Sequence, residues 1–399
     1  MDAPLAVIAL HSLPAIALSL SLPGSLYLAG LTLAAAMPTR PIRCAGPAPA
    51  RPARVVLLVP AHNEAGGLLR CLRSLQAELL WDAEARIVVV ADNCDDDTAA
   101  IARAAGISVL ERHNAQLRGK GHALQFAFEQ IDDADWFIII DADTDVERGF
   151  LSKMRQAMAT GADALQCRYG VREPLSSTRS TLADVALGAW NVLRPRGRQA
   201  LGLSVGILGN GFALSRRTLQ ALPYSAGSIV EDVEYHQMLV AQGLRVQWVD
   251  NTQVRGDMPD GAAPAAQQRA RWEGGRLRLL IEQGWPLCRA VMRGNWRLLD
   301  PLLDLCLLPL AWHVSLLLLT FLLALLLGAG SVQGLAAAGL LIVALHIGLA
   351  LHLIKAGRAH LRALLGLPRY ICWKLGLAGA IWRSAGRHAA WVRSARRDH

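Results

Sequence analysis

Ile138-Ile139-Ile140-Asp141-Ala142-Asp143 is the stretch of sequence that decides the fold. Its apolar half extends back to Trp136 and forms a short apolar run, which is typical of strands buried on both faces of a sheet. Two carboxylates at the end of such a strand are costly unless something compensates their charge, and a divalent cation such as Mg²⁺ or Mn²⁺ does so. Capping of the next element by Asp143 is the structural alternative. Asp141 and Asp143 are therefore candidate metal ligands.

The same alternation of short apolar runs and helical stretches occupies the preceding sequence. Leu68 to Leu79, for example, places leucines at helical spacing directly after an apolar run. Alternating strands and helices predict an α/β domain with a parallel sheet, and such domains bind ligands at the carboxyl ends of their strands. The predicted strands are 55–59, 87–90, 108–110 and 136–140, and the predicted helices between them are 68–79, 98–105 and 122–130.

Polar residues follow the first two predicted strands. Pro60-Ala61-His62-Asn63-Glu64 comes after the first strand, and the second ends at Asp92 in an acidic turn. Because the carboxyl ends of parallel strands meet at one edge of a sheet, we expect both segments to lie near Asp141. Helix capping accounts for the later acids of the turn, which leaves Asp92, nearest the strand, as the candidate ligand contact.

Two further motifs lie downstream. Glu231-Asp232 precedes a helix predicted from Val233, and a carboxylate near a metal site is suited to general-base chemistry; a helix N-terminal acid is the structural alternative. Gln268-Arg269-Ala270-Arg271-Trp272 combines an arginine, whose fork binds phosphate oxygens in pairs, with a tryptophan suited to stacking on a sugar. A surface helix with a membrane-facing tryptophan is the alternative for this second motif.

Three apolar stretches are each long enough to cross a bilayer, which takes about 20 residues. No Lys, Arg, Asp or Glu lies between Asp2 and Arg40, and the other two stretches are Leu305–Leu327 and Leu335–Ile354. Segments with both Trp and Arg beside such stretches are typical of helices in the headgroup plane. The predicted organisation is a transmembrane helix in 1–39, the α/β domain in 54–283, an interfacial segment in 284–300, a transmembrane hairpin in 302–354 and a basic amphipathic tail in 355–399.

The net charge of +9 is carried by the tail. From Lys355 onward, ten Lys or Arg residues and one acid, Asp398, give +9, so the first 354 residues sum to zero. A basic segment beside an apolar span indicates anionic lipid headgroups rather than nucleic acid as its partner. By the positive-inside rule, the basic flanks at Arg40 and Lys355 predict a cytosolic domain and tail at the inner membrane. A cleaved signal peptide ending near Ala34-Ala35-Ala36 is the alternative, although no positive region precedes the first apolar stretch.

Taken in order, these motifs resemble family 2 of the inverting glycosyltransferases. The series is Pro-x-x-Asn-Glu, the acidic turn, Gly-Lys-Gly around Lys120, Asp-x-Asp, Glu-Asp and Gln-x-x-Arg-Trp, over roughly residues 54–280. With its flanking apolar stretches, the chain resembles the membrane-embedded branch that includes cellulose, chitin, hyaluronan and poly-N-acetylglucosamine synthases. The resemblance implies the GT-A fold of nucleotide-diphospho-sugar transferases.

The resemblance also implies a role for each motif. The reaction would be a single displacement with inversion at the anomeric carbon. The donor would be a nucleotide-sugar, with UDP the favoured nucleotide, and the cofactor would be Mg²⁺ or Mn²⁺. The acceptor would be a growing polysaccharide or a lipid-linked glycan. The donor-binding residues would be Pro60, His62, Glu64, Asp92, Lys120, Asp141 and Arg271; the metal ligands Asp143 and Asp141; the catalytic residues Asp232, as base, and Glu231; and the acceptor-binding residues Gln268, Trp272 and Asn210.

The chain departs from the family pattern in two places. Its second strand ends Ala-Asp-Asn-Cys instead of Asp-Asp-Gly, so Asp92 carries that position alone. Only two apolar spans follow the catalytic domain, which puts translocation of a polymer by one chain in doubt and suggests a homo-oligomer or export machinery as partner. A non-catalytic, nucleotide-binding membrane scaffold with the same fold is the alternative function. A nucleotidyltransferase is a third, although His62-Asn63-Glu64 is not the Gly-rich loop of such enzymes.

Overall fold

The structure is a computed structural model that describes residues 3–38, 52–259 and 261–386. Arg40, Arg43 and Arg51, which follow the first apolar stretch, lie outside these ranges, and so does the end of the basic tail from residue 387. The orientation predicted from those charges therefore stays a prediction.

Eight strands within the described residues form one mixed sheet, in the order β3-β2-β1-β4-β7-β6-β8-β5. The first four strands of the sheet are parallel to one another, as predicted, and β6 is parallel to β8. The strands are β1 Val55–Ala61, β2 Ala85–Asp92, β3 Ser108–Arg112, β4 Trp136–Ile139, β5 Thr144–Val146, β6 Ala164–Val171, β7 Phe212–Ser215 and β8 Val246–Gly256.

The sheet becomes mixed beyond β4, because β7 runs antiparallel to both β4 and β6, and β5 antiparallel to β8. Since β6 and β7 are antiparallel neighbours, the chain leaves β6 and enters β7 at the same edge of the sheet. The intervening residues 172–211 include the helical stretch 178–200. After that stretch the segment also reaches the start of β8, where the Val205 N–H donates to the Val246 carbonyl oxygen at 3.1 Å.

Helices cover both faces of the sheet, and β1 is buried on both sides. Val55, Leu57 and Val59 pack in one hydrophobic layer with the helices 68–79 and 150–158, and Val56 and Leu58 pack in the other with the helix 120–130. The helices are α1 Ala3–Ala36, α2 Leu68–Leu79, α3 Thr98–Ala104, α4 Lys120–Gln130, α5 Phe150–Met158, α6 Thr178–Leu187, a π-helix Gly188–Leu193, α7 Arg194–Ala200, α8 Arg216–Ala221, α9 Glu231–Ala241, α10 Ala262–Met292, a 3₁₀ turn Trp296–Leu298, α11 Leu299–Cys306, α12 Leu310–Leu326, α13 Gly330–Leu353, α14 Arg358–Leu364, α15 Leu367–Leu375 and α16 Ala378–Ser384.

Two helices among the described residues are long and apolar enough to cross a membrane, namely Ser12–Ala36 within α1 and Gly330–Leu353. The predicted span Leu305–Leu327 is not one straight helix. It is divided into α11 and α12, whose axes meet at 75°. Pro309 explains the break, since proline lacks an N–H and disfavours helical geometry at the residue before it. Together the bent pair is a candidate third span.

The predicted boundary at residues 283/284 falls inside a continuous helix. α10 carries both the Gln-x-x-Arg-Trp motif and the first part of the segment predicted as interfacial. The tail helices pack against α10: a Cβ built on Gly274 would lie 2.6 Å from Ser384 Cβ and 2.8 Å from the Ile381 carbonyl oxygen of α16. Lys374 of α15 forms a buried ion pair with Glu273 of α10. The described part of the basic tail thus packs against α10, the helix that carries the Gln-x-x-Arg-Trp motif.

Candidate active site

Polar residues from four elements converge where β1, β2 and β4 end. We call this set the acidic edge: Asp92, Lys120, Asp141, Asp143, Glu231 and Asp232, all of which line one cavity of about 480 Å³. Asp92 ends β2, Lys120 begins α4, Asp141 and Asp143 follow β4, and the Glu-Asp pair begins α9. Pro60, His62 and Glu64 of the predicted set line the same cavity, together with Gln268, Arg271 and Trp272.

The loop after β1 is fixed to the end of β2. His62 Nδ1 lies 2.7 Å from the Asp92 carbonyl oxygen, and the Glu64 N–H donates to Thr98 Oγ1 at 2.8 Å. Asp92 is buried, and its Oδ1 accepts from Arg112 Nη1 at 2.6 Å. Arg112 was not among the site residues predicted from the sequence. Its signal was its position, because it is the last residue of β3 and the direct neighbour of Asp92 in the parallel register.

Asn93 explains the departure from Asp-Asp-Gly at the end of β2. Its φ is 51°, in the left-handed region where glycine is favoured and asparagine is the best tolerated alternative. Its side chain also fixes the neighbouring loop, since Oδ1 accepts from the Asn114 N–H at 2.8 Å. Asn63, with φ 54°, acts in the same way after β1 and accepts from the Asp95 N–H at 2.8 Å.

Lys120 connects the two halves of the acidic edge. Its Nζ donates to Asp141 Oδ1 and to the Gly209 carbonyl oxygen. Burial acts to lower the pKa of Lys120, but the carboxylates of Asp141, Glu231 and Asp232 outweigh it and hold the pKa above its ordinary value. Lys120 is therefore a cation at neutral pH, at the N-terminus of α4 where the helix dipole also favours anions.

Asn210, which we expected beside an acceptor, is instead fully buried. Its Oδ1 accepts from the Asp141 N–H at 3.2 Å and its Nδ2 donates to Thr144 Oγ1 at 2.8 Å. Gln166, also fully buried, supports it by donating to the Asn210 carbonyl oxygen at 2.8 Å. The side chain of Asn210 thus holds the loop of Asp141 and Asp143 and is not placed to touch an acceptor.

Glu231 and Asp232 begin α9 and line the cavity. Burial raises the pKa of both carboxyl groups, and the Asp232 charge raises that of Glu231 further. Asp232 Oδ1 accepts from the Val233 N–H at 2.9 Å. A Cβ built on Gly209 would lie 3.1 Å from Asp232 Oδ2, so the backbone of the glycine loop passes directly beside this carboxylate. A buried carboxylate with a raised pKa is suited to accept a proton.

Asp141 and Asp143 are the carboxylates that fit a divalent cation. No group of three His, Cys, Asp or Glu side chains that would hold a metal by itself is found in residues 3–38, 52–259 or 261–386. Mg²⁺-like cations are commonly held by one or two carboxylates together with substrate phosphates. Asp143 is buried and lines the cavity, so the donor set fits a cation completed by a bound diphosphate.

The model of the glycosyl transferase family group 2 matches residues 136–354, which is more than half of the chain. The chain belongs to this family. No curated protein matches the chain.

The solved structures similar to this glycosyltransferase family member include a mannosyltransferase from Pyrobaculum calidifontis in complex with GDP-Man and Mn²⁺. It is 18% identical, with a TM-score of 0.54, and 96% of this chain and 99% of that chain are covered. Glucosyl-3-phosphoglycerate synthase from Mycobacterium tuberculosis, solved with Mn²⁺, UDP and phosphoglyceric acid, is 23% identical with a TM-score of 0.41, covering 57% and 78%. The first comparison shows the fold, a mixed sheet with surrounding helices that resembles GT-A glycosyltransferases.

The cavity of this glycosyltransferase family member continues toward the apolar helices, where it meets a second charged group. We call Arg194, Arg198, Arg276, Asp300 and Asp304 the arginine cluster; they come from α7, α10 and α11, and all line the cavity. Asp304 accepts from Arg198 at 2.6 Å and from Arg276 at 3.2 Å, and Arg198 Nε lies 3.0 Å from Asp300 Oδ2. None of these five residues was predicted from the sequence, although Arg194/Arg198 and Asp300/Asp304 are each spaced to share one helix face.

Proposed function

We propose that this chain transfers a sugar from a nucleotide-sugar, with UDP as the nucleotide, to a hydroxyl of a glycan or lipid-linked glycan at a membrane. The observation that carries the proposal is the convergence of the acidic edge. Residues up to 140 positions apart, from Asp92 to Asp232, line a single cavity at the carboxyl ends of parallel strands. Open α/β sheets bind nucleotides at that place.

The donor's nucleoside would lie against the loop after β1 and the end of β2. His62 and Asp92 are fixed to each other there, and Glu64 lies on the same wall of the cavity. The diphosphate would lie toward Lys120 and Arg271. Lys120 is a buried cation at a helix N-terminus, and an arginine fork binds phosphate oxygens in pairs.

A divalent cation, Mg²⁺ or Mn²⁺, would be held by Asp143 and Asp141 together with the donor's phosphates. When bound, it would offset the negative charge that develops on the leaving nucleoside diphosphate. The position of Asp141 supports this assignment, because Lys120 and the Asn210 side chain fix its carboxylate and its N–H, respectively. The loop is therefore held in place before any ligand arrives.

Asp232 would be the general base. The acceptor hydroxyl would lose its proton to Asp232, its oxygen would bond to the anomeric carbon, and the bond from that carbon to phosphate would break, with the electron pair leaving on the nucleoside diphosphate. One displacement of this kind inverts the anomeric centre. Gln268 and Trp272 lie across the cavity on α10 and would contact the acceptor, with Trp272 as a stacking surface.

The membrane setting follows from α1, α13 and the bent pair. We propose that α1, α12 and α13 cross the cytoplasmic membrane, with the catalytic domain on the cytosolic side and the basic tail at the headgroups. The packing supports one membrane unit: Thr32 Oγ1 of α1 lies 2.8 Å from His346 of α13, and Ser25 Oγ lies 3.1 Å from His313 of α12. Export of a long polymer would call for a second copy or separate export machinery.

The test of the proposed function is turnover by the full chain, purified in detergent, with Mn²⁺ and a panel of ¹⁴C-labelled nucleotide-sugars that includes UDP-glucose, UDP-N-acetylglucosamine and GDP-mannose. We expect hydrolysis of, or transfer from, one UDP-sugar. Turnover of GDP-mannose alone would overturn the assignment of UDP. Binding of a nucleotide-sugar without turnover in the wild-type chain would instead support the non-catalytic scaffold and overturn the enzyme.

Coupled binding of metal and nucleotide tests the cation site separately. The protein would hold the cation with two carboxylates, so the phosphates of the nucleotide would complete its coordination. We therefore expect UDP to bind at least about ten-fold more tightly with Mn²⁺ than with EDTA, which is the effect of one strong charged contact. Asp143→Asn should remove this difference. Asp133→Asn, at an exposed surface pair with Arg86, is the matched control and should keep it. Equal UDP affinity with and without Mn²⁺ in the wild-type chain would contradict the site.

A further inference from the structure

The cavity has an apolar part that the donor, metal and base do not use. Beyond the acidic edge it passes the arginine cluster and reaches the cytosolic-side ends assigned to the membrane helices. The walls of this part are hydrocarbon side chains from three helices: Leu310, Ala311 and Val314 of α12, Val343 and Ile347 of α13, and Leu367 and Ile371 of α15. A water-soluble donor has no need of such walls.

Arg194 stands between the polar and apolar parts, with its hydrogen-bonding capacity only partly used. It is 2% exposed and lines the cavity. Among the described residues, neither its Nε nor its Nη1 has a hydrogen-bond acceptor; the nearest carboxylate oxygen, Asp304 Oδ1, is 3.5 Å from Nη1. Leaving charged donors buried without acceptors is costly. An anion that enters the cavity would supply the missing acceptors for this side chain.

The charge balance of the arginine cluster points to the same kind of ligand. Three guanidinium groups face two carboxylates, which leaves one positive charge, and Asp304 is shared by all three arginines. Burial lowers the pKa of Arg194 to about 10, so it keeps its charge at neutral pH. A buried site with one excess positive charge favours a singly or doubly charged anion such as a phosphate group.

Arg194 and Arg276 both pack on the ring of Trp190. The guanidinium carbons of Arg194 and Arg276 lie 4.1 Å and 4.5 Å from the centroid of the Trp190 ring. Arg276 also acts on the pKa of Asp232, which it lowers, so it lies within electrostatic reach of the proposed base. An anion between Arg194 and Arg276 would thus lie near Asp232 and on its membrane side.

We propose that the acceptor is a membrane lipid with a phosphate group in its head, the phosphate bound by Arg194 and Arg276 and the hydrocarbon tail lying in the apolar part of the cavity. This inference rests on the proposed function, because it identifies the acceptor of that reaction. The reacting atom is a hydroxyl oxygen of the head and not the phosphate itself, because Glu231 and Asp232 would repel a phosphate brought against them. The phosphate anchors the lipid, and the hydroxyl reaches Asp232.

The experiment uses a photoreactive dodecyl phosphate with a diazirine in its chain. The full chain is reconstituted in vesicles of digalactosyldiacylglycerol, a lipid without phosphate, and a probe with the same chain but a maltose head serves as the tail-only arm. We expect the phosphate probe to label peptides of α12, α13 or α15 about ten-fold more strongly than the maltose probe. Equal labelling by the two probes would overturn the phosphate site.

Arg194→Gln should reduce labelling by the phosphate probe about ten-fold. The matched control is Arg196→Gln on the same helix, because Arg196 contacts the Ala35 carbonyl and Asp250 outside the cavity; its labelling should equal that of the wild type. If Arg194→Gln fails to fold, Ala311→Trp replaces it, since it fills the apolar part and should reduce the same labelling. Unchanged labelling in the folded variant would overturn the site.

Two further arms identify the source of the phosphate and separate this inference from the proposed function. Unlabelled dodecyl phosphate should compete with the probe far better than inorganic phosphate does; equal competition would point to a free phosphate group and overturn the lipid. Nucleotide-sugar turnover is measured in the same vesicles. Turnover without Arg194-dependent labelling would sink the lipid site alone, whereas labelling without turnover of any nucleotide-sugar would sink the proposed function and leave a lipid site that is not an acceptor site.

Discussion

The acidic edge and the arginine cluster line one cavity, yet they are built differently. The acidic edge consists of residues at strand ends and helix starts, where backbone geometry alone brings them together. The arginine cluster consists of side chains from three helices, held together by ion pairs such as the one between Arg198 and Asp304, which are 106 positions apart in the chain. The acidic edge therefore depends on the sheet, and the arginine cluster depends on how the membrane helices pack against the domain.

The largest expected effect belongs to the acidic edge. Asp232→Asn removes the proposed base without changing its size, so the transfer rate should fall by about 10² to 10⁴, the usual contribution of general-base catalysis, while UDP affinity changes little. Initial rates and UDP titrations of the purified chain measure both. The control is Glu234→Gln on the same helix, which keeps an oxygen for the Ser228 N–H, 3.0 Å away in the wild type. Equal rates in the two variants would rule out Asp232 as the base.

The difference between the regions also decides how much the sequence could predict. Asp92, Asp141 and Asp232 were recognisable because each lies next to the end or the start of a predicted element, and consecutive parallel strands bring their ends to one edge. Lys120 was indicated only by the family resemblance. Arg194 and Asp304 were not recognisable, because nothing local relates α7 to α11; only the tertiary packing does. The same reason explains why β7 is antiparallel. Its direction depends on where the connecting segment 172–211 brings the chain back to the sheet.

Asn210 shows the limit of a motif more closely. Its position between Gly209 and Gly211 indicated a residue of the site, and it does contact Asp141. Whether its amide faces the cavity or the interior depends on Gln166 and Thr144, which come from other elements and hydrogen-bond to it. A sequence pattern therefore located the residue correctly but not the direction of its side chain.

The next largest effect is expected in the arginine cluster, on stability. Asp304→Asn leaves three guanidinium groups facing one carboxylate, and breaking a buried ion pair costs about 3–5 kcal/mol. We expect a large drop in the unfolding temperature of the detergent-solubilised chain. Asp133→Asn breaks an exposed pair with Arg86 and should cost about 1 kcal/mol or less. If both variants unfold at the same temperature, the cluster does not hold the domain to α11.

The stability of the folded chain should also depend on pH through His236, which lies within electrostatic reach of Arg198 and Asp304 in the arginine cluster. Burial lowers the pKa of His236 to about 3, the charge of Arg198 adds to this, and Asp304 opposes it; the ring also lies 2.9 Å from Ser204 Oγ. The folded chain resists protonation of His236 while the unfolded chain binds a proton below its ordinary pKa of 6.5, so stability falls as the pH falls. Between pH 7.5 and pH 5 this residue should account for about 2 kcal/mol.

His236→Gln isolates this contribution, because glutamine does not titrate. The unfolding temperature of the variant should fall less between pH 7.5 and pH 5 than that of the wild type. Identical pH slopes would show that His236 is accessible to protons in the folded chain and that the membrane side of the cavity is wetter than its packing indicates.

The smallest effect returns to the acidic edge and tests its dependence on backbone geometry. Asn93 has φ 51°, and its Oδ1 accepts from the Asn114 N–H. Asn93→Gly keeps the left-handed conformation and loses the hydrogen bond, at about 1 kcal/mol. Asn93→Ala loses the same bond and adds roughly 1–2 kcal/mol for an alanine in the left-handed region. The alanine variant should therefore unfold at a lower temperature than the glycine variant. The reverse order would mean that the left-handed conformation of residue 93 does not set the turn after β2, and the acidic edge would then depend on side-chain packing just as the arginine cluster does.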